Sequence, residues 1–144
     1  MALDRGEGDV ACDAALAALE EDSEEFVLLT QNIDGFHRDA GSRNVVELHG
    51  NIWEVRSAAG GEVTENRQVP LDPLPPRTET GALLRPNVVW FGEGLDPKVL
   101  ERALEAASRC DFMIVAGTSA VVHPAAHLPV LAKRNGAYVL EVNP

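Results

Sequence analysis

Phe26-Val27-Leu28-Leu29-Thr30-Gln31-Asn32-Ile33-Asp34-Gly35-Phe36-His37, followed ten residues later by Glu47-Leu48-His49-Gly50, carries the reading of this chain. An apolar strand, Phe26–Thr30, runs straight into a cluster of Thr, Gln, Asn and Asp. In open α/β folds, ligands bind at the carboxyl ends of strands. Amide and carboxylate side chains placed there suit a sugar or an amide better than a phosphate. Val45, Val46 and Leu48 form a second short extended piece leading to His49, and an imidazole beside such a pocket is a natural proton-transfer group.

Working outward, Asp9 is expected to cap a helix over residues 10–21, with Leu16 and Leu19 on its buried side. Ile52–Arg56 and Glu62–Thr64 read as a small β-hairpin turned by Gly60-Gly61. Residues 68–81 carry Pro70, Pro73, Pro75 and Pro76, which predicts a loop without a ladder of its own. A strand is expected over Pro86–Phe91. Asp96-Pro97 is a helix start, an N-cap followed by proline at the first helical position. Val99, Leu100, Ala103, Leu104 and Ala107 fall on one stripe of that helix. Asp111–Gly117 reads as a buried strand, Pro129 opens a further helix that Gly136 ends, and Ala137–Val142 is the last strand. The alternation from residue 86 onward is a βαβαβ pattern and predicts a parallel sheet.

Composition sets bounds on function. The chain has 144 residues, enough for one core, and its 45% hydrophobic and 24% charged content is that of a globular protein. A net charge of −11 argues against nucleic acid as a partner, because no basic surface is present to release counterions. Residues 1–25 hold nine acids against Arg5 alone, read as a solvated helix face and tail. Cys12 and Cys110 stand far apart in no C-x-x-C pair, which fits a reduced interior better than a disulfide scaffold. No apolar run approaches the roughly 20 residues that span a bilayer. The acidic N-terminus does not read as a signal peptide. No membrane partner is implied, and a cytoplasmic location is expected.

Trp90-Phe91-Gly92-Glu93, Gly117-Thr118-Ser119 and Val142-Asn143 complete the pattern begun by Gln31–His37 and His49-Gly50. In order and spacing these motifs closely resemble the sirtuin family of NAD-dependent protein deacylases, over roughly residues 10 to 144. The resemblance implies an α/β fold: a partial Rossmann-like parallel sheet with helices on both faces, in a single domain over 1–144. A small zinc-less β module over 51–82 is inserted within it. NAD is the implied cofactor. Gln31, Asn32 and Asp34 would face its nicotinamide ribose and carboxamide, while Gly117, Thr118, Ser119 and Asn143 would contact the adenosine ribose and phosphates. Glycine permits close backbone approach there, and hydroxyls and amides can bond sugar and phosphate oxygens.

The same resemblance implies His49 as the catalytic base and an acylated lysine peptide or protein as partner. The peptide would pair as an added strand along 87–93, with Val89, Trp90, Phe91, Gly92 and Glu93 binding substrate and the two aromatics walling the acyl-lysine tunnel. The implied chemistry displaces nicotinamide by the acyl-lysine carbonyl oxygen. His49 then activates a ribose hydroxyl, and water completes transfer of the acyl group to ADP-ribose. The Leu84–Glu93 phrase looks most like the bacterial and mitochondrial branch of the family, but no acyl-chain preference carries over.

Two departures accompany the resemblance. The family's zinc module uses two C-x-x-C pairs after His-Gly. Here the aligned stretches read Arg56-Ser57-Ala58-Ala59-Gly60-Gly61 and Arg77-Thr78-Glu79-Thr80-Gly81. Serine, glycine and threonine cannot replace thiolates on structural zinc, so no zinc is expected. The family also opens with a strand and a Gly-Ala-Gly pyrophosphate turn that residues 1–25 do not resemble, and it continues past the position of Pro144. A truncated reading frame, a separate chain supplying the missing half, and a degenerate remnant all remain open. Unpaired strand edges would favour self-association. Two functions follow: a sirtuin-type deacylase, or a non-catalytic module binding NAD, ADP-ribose or acylated peptide. His37 is read as structural, His123 and His127 as loop or surface residues, and Cys110 as core filling.

Overall fold

A computed structural model describes residues 7–118 and 121–143. The chain forms two compact units, Met1–Gly94 and Leu95–Pro144. The first holds α1 (Glu7–Glu21), β1 (Leu28–Thr30), α2 (Phe36–Asp39), β2 (Val45–Glu47), β3 (Gly50–Ser57), β4 (Val63–Glu65) and β5 (Leu84–Val88). The second holds α3 (Pro97–Arg109), β6 (Phe112–Ala116), a 3-10 turn (Ala125–His127), α4 (Leu128–Arg134) and β7 (Tyr138–Val142). The class is mixed α/β, with parallel and antiparallel pairing.

In the first unit β1 and β2 pair in parallel, Leu28 opposite Val45 and Thr30 opposite Glu47. Leu28, Val45, Val46 and Leu48 are buried and form its core with Val55. The helix α1 begins at Glu7, so Asp9 lies inside it rather than at its cap. Its buried positions are not the leucines either. Leu19 is exposed and Leu16 only half-buried, while Asp13 and Glu20, two turns apart on one face, are buried. The reason is polar. Glu20 accepts the backbone N–H groups of Arg43 and Asn44, both at 2.8 Å, and so satisfies the turn that leads into β2. Those bonds, Arg43's foremost, hold the Glu20 carboxyl below its ordinary range against the cost of burial. Asp13 Oδ1 lies 2.7 Å from His37 Nδ1, which gives His37 the structural place read for it.

The hairpin expected after His49 is present. Antiparallel β3 and β4 pair Val55 with Thr64, and the connecting turn holds Gly60 and Gly61 at positive φ. The expected strand at 86–91 needs correction, since β5 ends at Val88. It pairs antiparallel with β3, Gly50 opposite Val88 and Arg56 opposite Arg85, so it belongs to the small β4-β3-β5 sheet rather than to a parallel one. Pro86 is tolerated because β5 is an edge strand whose register shifts between Asn51 and Val55.

In the second unit the local signals for element ends hold, but the strand expected to be buried at 111–117 is not: β6 alternates exposed and half-buried positions, with Phe112 and Ile114 exposed. Asp96 caps α3, its Oδ1 accepting from Lys98 N at 2.8 Å and Val99 N at 3.4 Å, with Pro97 just inside. Ala103 and Ala107 are the buried members of its stripe, and Leu104 is exposed. The strands β6 and β7 run parallel, Phe112 opposite Tyr138 and Ala116 opposite Val142, with α4 as the crossover. Gly136, at φ 100°, ends α4 by letting Ala137 N–H reach Ala132 O at 3.0 Å. Among the described residues no helix is long and apolar enough to cross a membrane.

Candidate functional site

Strand β1 delivers Thr30, Gln31 and Asn32 at its carboxyl end, and the parallel β2 delivers His49 beside them. Thr30 is buried, and its hydroxyl accepts Asn32 N–H at 3.1 Å, turning the chain out of the strand. The side chain of Asn32 is exposed. Asp34 and Gly35 then make a tight corner. Gly35 takes φ 75°, and Asp34 Oδ1 accepts Phe36 N–H at 3.0 Å, which starts the short helix α2. This Asx corner was not anticipated, although Asp-Gly is a turn signal in its own right.

His49 is held from three directions. Leu48 N–H donates to Thr30 O at 2.9 Å, which ties its segment to β1. Its own carbonyl accepts Val89 N–H at 2.9 Å. Its ring Nδ1 lies 3.0 Å from the carbonyl oxygen of Gln31. Gly50 follows at φ 78°, and a Cβ there would stand 1.9 Å from Asn87 O, so only glycine lets β3 leave His49 against β5. The structure therefore brings Gln31, His49 and Val89 together, with Asn32 and Asp34 following Gln31 along the chain.

Beyond Val89 the chain turns rather than continuing as strand, with Glu93 N–H bonded to Trp90 O at 2.9 Å. Phe91 is fully exposed and Trp90 largely so. The Glu93 carboxylate is engaged within the turn. It forms an ion pair with both terminal nitrogens of Arg85 and accepts Trp90 N–H at 3.1 Å. Arg85 also donates to Val88 O at 2.9 Å and stacks over the Trp90 ring at 5.9 Å. Arg85 first, then the Trp90 N–H, holds the Glu93 carboxyl below its ordinary range. The role of Arg85 was not legible from the sequence, since no strand or helix period links it to a partner eight residues on.

In the second unit, Gly117, Thr118 and Asn143 meet at the carboxyl end of the parallel β6–β7 pair. Gly117 N–H donates to Val142 O at 3.2 Å, and Asn143 Nδ2 donates to Thr118 O at 3.1 Å and to Glu141 Oε1 at 2.7 Å. Gly117 takes φ 62°, and a Cβ there would meet nothing within 4 Å, so its outer side is open to close approach. Ser119, grouped with these residues in the sequence, lies outside the described residues.

Among the described residues no group of three or more His, Cys, Asp or Glu could hold a metal ion. His123 and His127 are exposed, their rings 6.2 Å apart. Cys110 is half-buried, and desolvation pushes its thiol up.

A family model described as "Sir2 family" matches residues 9–124. The NAD-dependent protein deacylase of Aquifex aeolicus (strain VF5) is 52% identical over 130 residues, covering 90% of this chain and 54% of that protein. The NAD-dependent protein deacylase 1 of Archaeoglobus fulgidus is 49% identical over 131 residues, covering 90% and 54%. Among solved structures, a Sir2 homolog–NAD complex aligns with a TM-score of 0.86 at 47% identity, covering 92% of this chain and 52% of that one. A Sir2–p53 peptide–NAD+ structure aligns with a TM-score of 0.81 at 38% identity, covering 91% and 56%. The chain spans about half the length of the curated relatives it matches.

Proposed function

The chain belongs to the Sir2 family, and from that premise we propose that it works as an NAD-dependent protein-lysine deacylase. The net reaction takes acyl-lysine, NAD and water to lysine, nicotinamide and O-acyl-ADP-ribose. NAD, when bound, supplies the ribose that accepts the acyl group and nicotinamide as the leaving group.

The observation that carries the proposal is the contact between His49 Nδ1 and Gln31 O at 3.0 Å. A carbonyl oxygen only accepts, so Nδ1 bears the hydrogen in this contact, and in the neutral ring the lone pair is then on Nε2. In that form His49 presents a proton acceptor at the carboxyl end of β1, where Gln31, Asn32 and Asp34 follow along the chain. We assign to His49 the role of base toward a ribose hydroxyl. The three polar residues suit the nicotinamide carboxamide and its ribose. Gly117, Thr118, Ser119 and Asn143 suit the adenosine side, a fit supported by the open space at Gly117 and by the Asn143 amide held at Thr118.

Val89, Trp90, Phe91, Gly92 and Glu93 form the candidate peptide site. Val89 N–H is already bonded to His49 O, so a peptide seated on this turn would lie close to the base. Phe91 and Trp90 offer exposed aromatic surface for an acyl-lysine stem, whereas Glu93 acts through its ion pair with Arg85. Cysteine usage supports a reducing, cytoplasmic setting for this chemistry.

The test is incubation with an acetyl-lysine peptide and NAD, followed by mass spectrometry. Equal amounts of free-lysine peptide, nicotinamide and O-acetyl-ADP-ribose support the reading. NAD binding without turnover would reduce the chain to a binding module and sink the enzymatic proposal.

A further inference from the structure

The small β4-β3-β5 sheet is joined to the corner that carries Asp34 by side chains. The Trp53 indole N–H donates to the Asp34 carbonyl at 2.7 Å. Its ring packs directly on the corner, since a Cβ at Gly35 would stand 3.2 Å from Trp53 Cδ1. Ile52 N–H, one residue earlier on β3, donates to Ile33 O at 2.8 Å. Arg67, just past β4, places its guanidinium over the Trp53 ring at 5.6 Å. From there it pairs with Glu65 Oε1 at 2.7 Å and with Asp39 Oδ1 at 3.2 Å. Asn66 N–H donates to Trp53 O at 2.7 Å, which keeps the segment carrying Arg67 against β3.

The segment 34–39 is therefore gripped at both ends. Trp53 holds the Asp34 main chain at its start, Arg67 holds the Asp39 carboxylate at the end of α2, and the two gripping side chains stack on each other. Asp34 is restrained on the other side by its own bond to Phe36 N–H. A corner fixed in this way presents the Asp34 side chain in one orientation without a conformational cost at binding.

We propose that Trp53 and Arg67 are positioning residues that set the Asp34–Gly35 corner for the nicotinamide side of the cofactor. The proposal rests on the functional reading of that corner given above. Neither residue needs to touch NAD. Trp53 acts through the Asp34 main chain and Arg67 through Asp39 and the Trp53 ring, so their loss should weaken cofactor use without disturbing peptide use.

The test uses Trp53→Phe, which keeps the ring and removes the donor, and Arg67→Met, which keeps the stem and removes the charge. Arg67 is half-exposed, so this second variant keeps the test usable if Trp53→Phe folds poorly. Amide hydrogen exchange followed by mass spectrometry should show residues 33–39 opening about tenfold faster in each variant, with β1 and β2 unchanged. The KM for NAD should rise about tenfold, equivalent to about 1.4 kcal/mol, with the KM for acyl-peptide unchanged. The double variant should fall short of the product of the single effects, because the two side chains share one contact. Unchanged exchange at 33–39, or faster exchange with an unaltered KM for NAD, overturns the proposal and leaves the deacylase reading intact. A wild-type chain that consumes no acyl-peptide with NAD overturns that reading and the positioning role together, and is distinguished by needing no variant.

Discussion

His49 Nδ1 and the carbonyl oxygen of Gln31 lie 3.0 Å apart, so the ring that leaves β2 is oriented by the main chain that leaves β1. The side chain of Gln31 plays no part in this bond. Substituting Gln31 would change the polar lining of the corner while leaving the orientation of His49 in place. A backbone acceptor also fixes the tautomer more durably than a titrating carboxylate would, because a peptide carbonyl keeps its accepting character at every working pH.

His49→Ala should lower NAD-dependent deacylation by about 10²–10⁴-fold, the usual contribution of a general base. Peptide affinity measured by calorimetry should change little, since the Val89 N–H bonds to the backbone of residue 49 and not to its ring. Retention of most of the activity by His49→Ala would remove the base assignment.

Arg85→Ala should release the turn at Trp90–Glu93. Arg85 is the partner that joins Glu93, Val88 O and the Trp90 ring. The KM for acyl-peptide should rise several-fold while the KM for NAD holds, the reverse of the pattern expected for Trp53→Phe. Steady-state kinetics in both substrates reads the two patterns from one data set. Equal changes in both constants would mean that Arg85 supports the unit as a whole rather than the turn.

Acid should destabilise the first unit through Glu20 and Glu93, whose carboxyls are both held below the ordinary range by hydrogen bonds. A carboxyl with a lowered folded-state pKa adds stability above its unfolded value of about 4.3, and that stability drains as pH falls through the lower folded value. Glu20→Gln should therefore be less stable than the wild type at pH 7, and the gap should close as pH falls below the ordinary carboxylate range. Urea denaturation across that range checks the sign. A gap that widened on acidification would mean that the two backbone N–H bonds to Glu20 do not control its titration.

Gly50→Ala and Gly60→Ala should separate backbone strain from collision. Both glycines have positive φ, 78° and 90°. A Cβ at residue 60 meets nothing within 4 Å, whereas at residue 50 it would stand 1.9 Å from Asn87 O. Gly60→Ala should cost about 1–2 kcal/mol from conformation alone. Gly50→Ala should cost clearly more, or prevent folding, because β3 must move away from β5 to admit the methyl group. Equal losses in denaturant titrations would show that the β3–β5 approach is looser than the structure indicates.

Most local signals were sufficient, Asp9 excepted, which lies inside α1 rather than at its cap. Asp96-Pro97 placed the start of α3, Gly60-Gly61 placed the hairpin, and Gly136 placed the end of α4, because caps and turns are settled within a few residues. The candidate site was legible for a different reason. Gln31, Asn32, Asp34, His49 and the Gly117-Thr118 exit stand where strands end, and their order along the chain carries the family resemblance.

By itself, then, the sequence determined the α/β class, most element boundaries, the polar exits of β1 and β6, and His49 as the candidate base. The first three depend on residue type and on spacing within single elements, and His49 as base rests on the family resemblance. Only the tertiary structure decided that Asp13 and Glu20 of α1 are buried while Leu16 and Leu19 are not. It alone assigned β5 to the antiparallel sheet, engaged Glu93 with Arg85, and set Trp53 and Arg67 against the Asp34 corner. Each of these joins groups 8 to 38 residues apart, between elements whose own patterns are satisfied either way. A buried carboxylate or an indole N–H takes whichever partner the fold brings within 3 Å, and hydrophobic periodicity does not encode that choice.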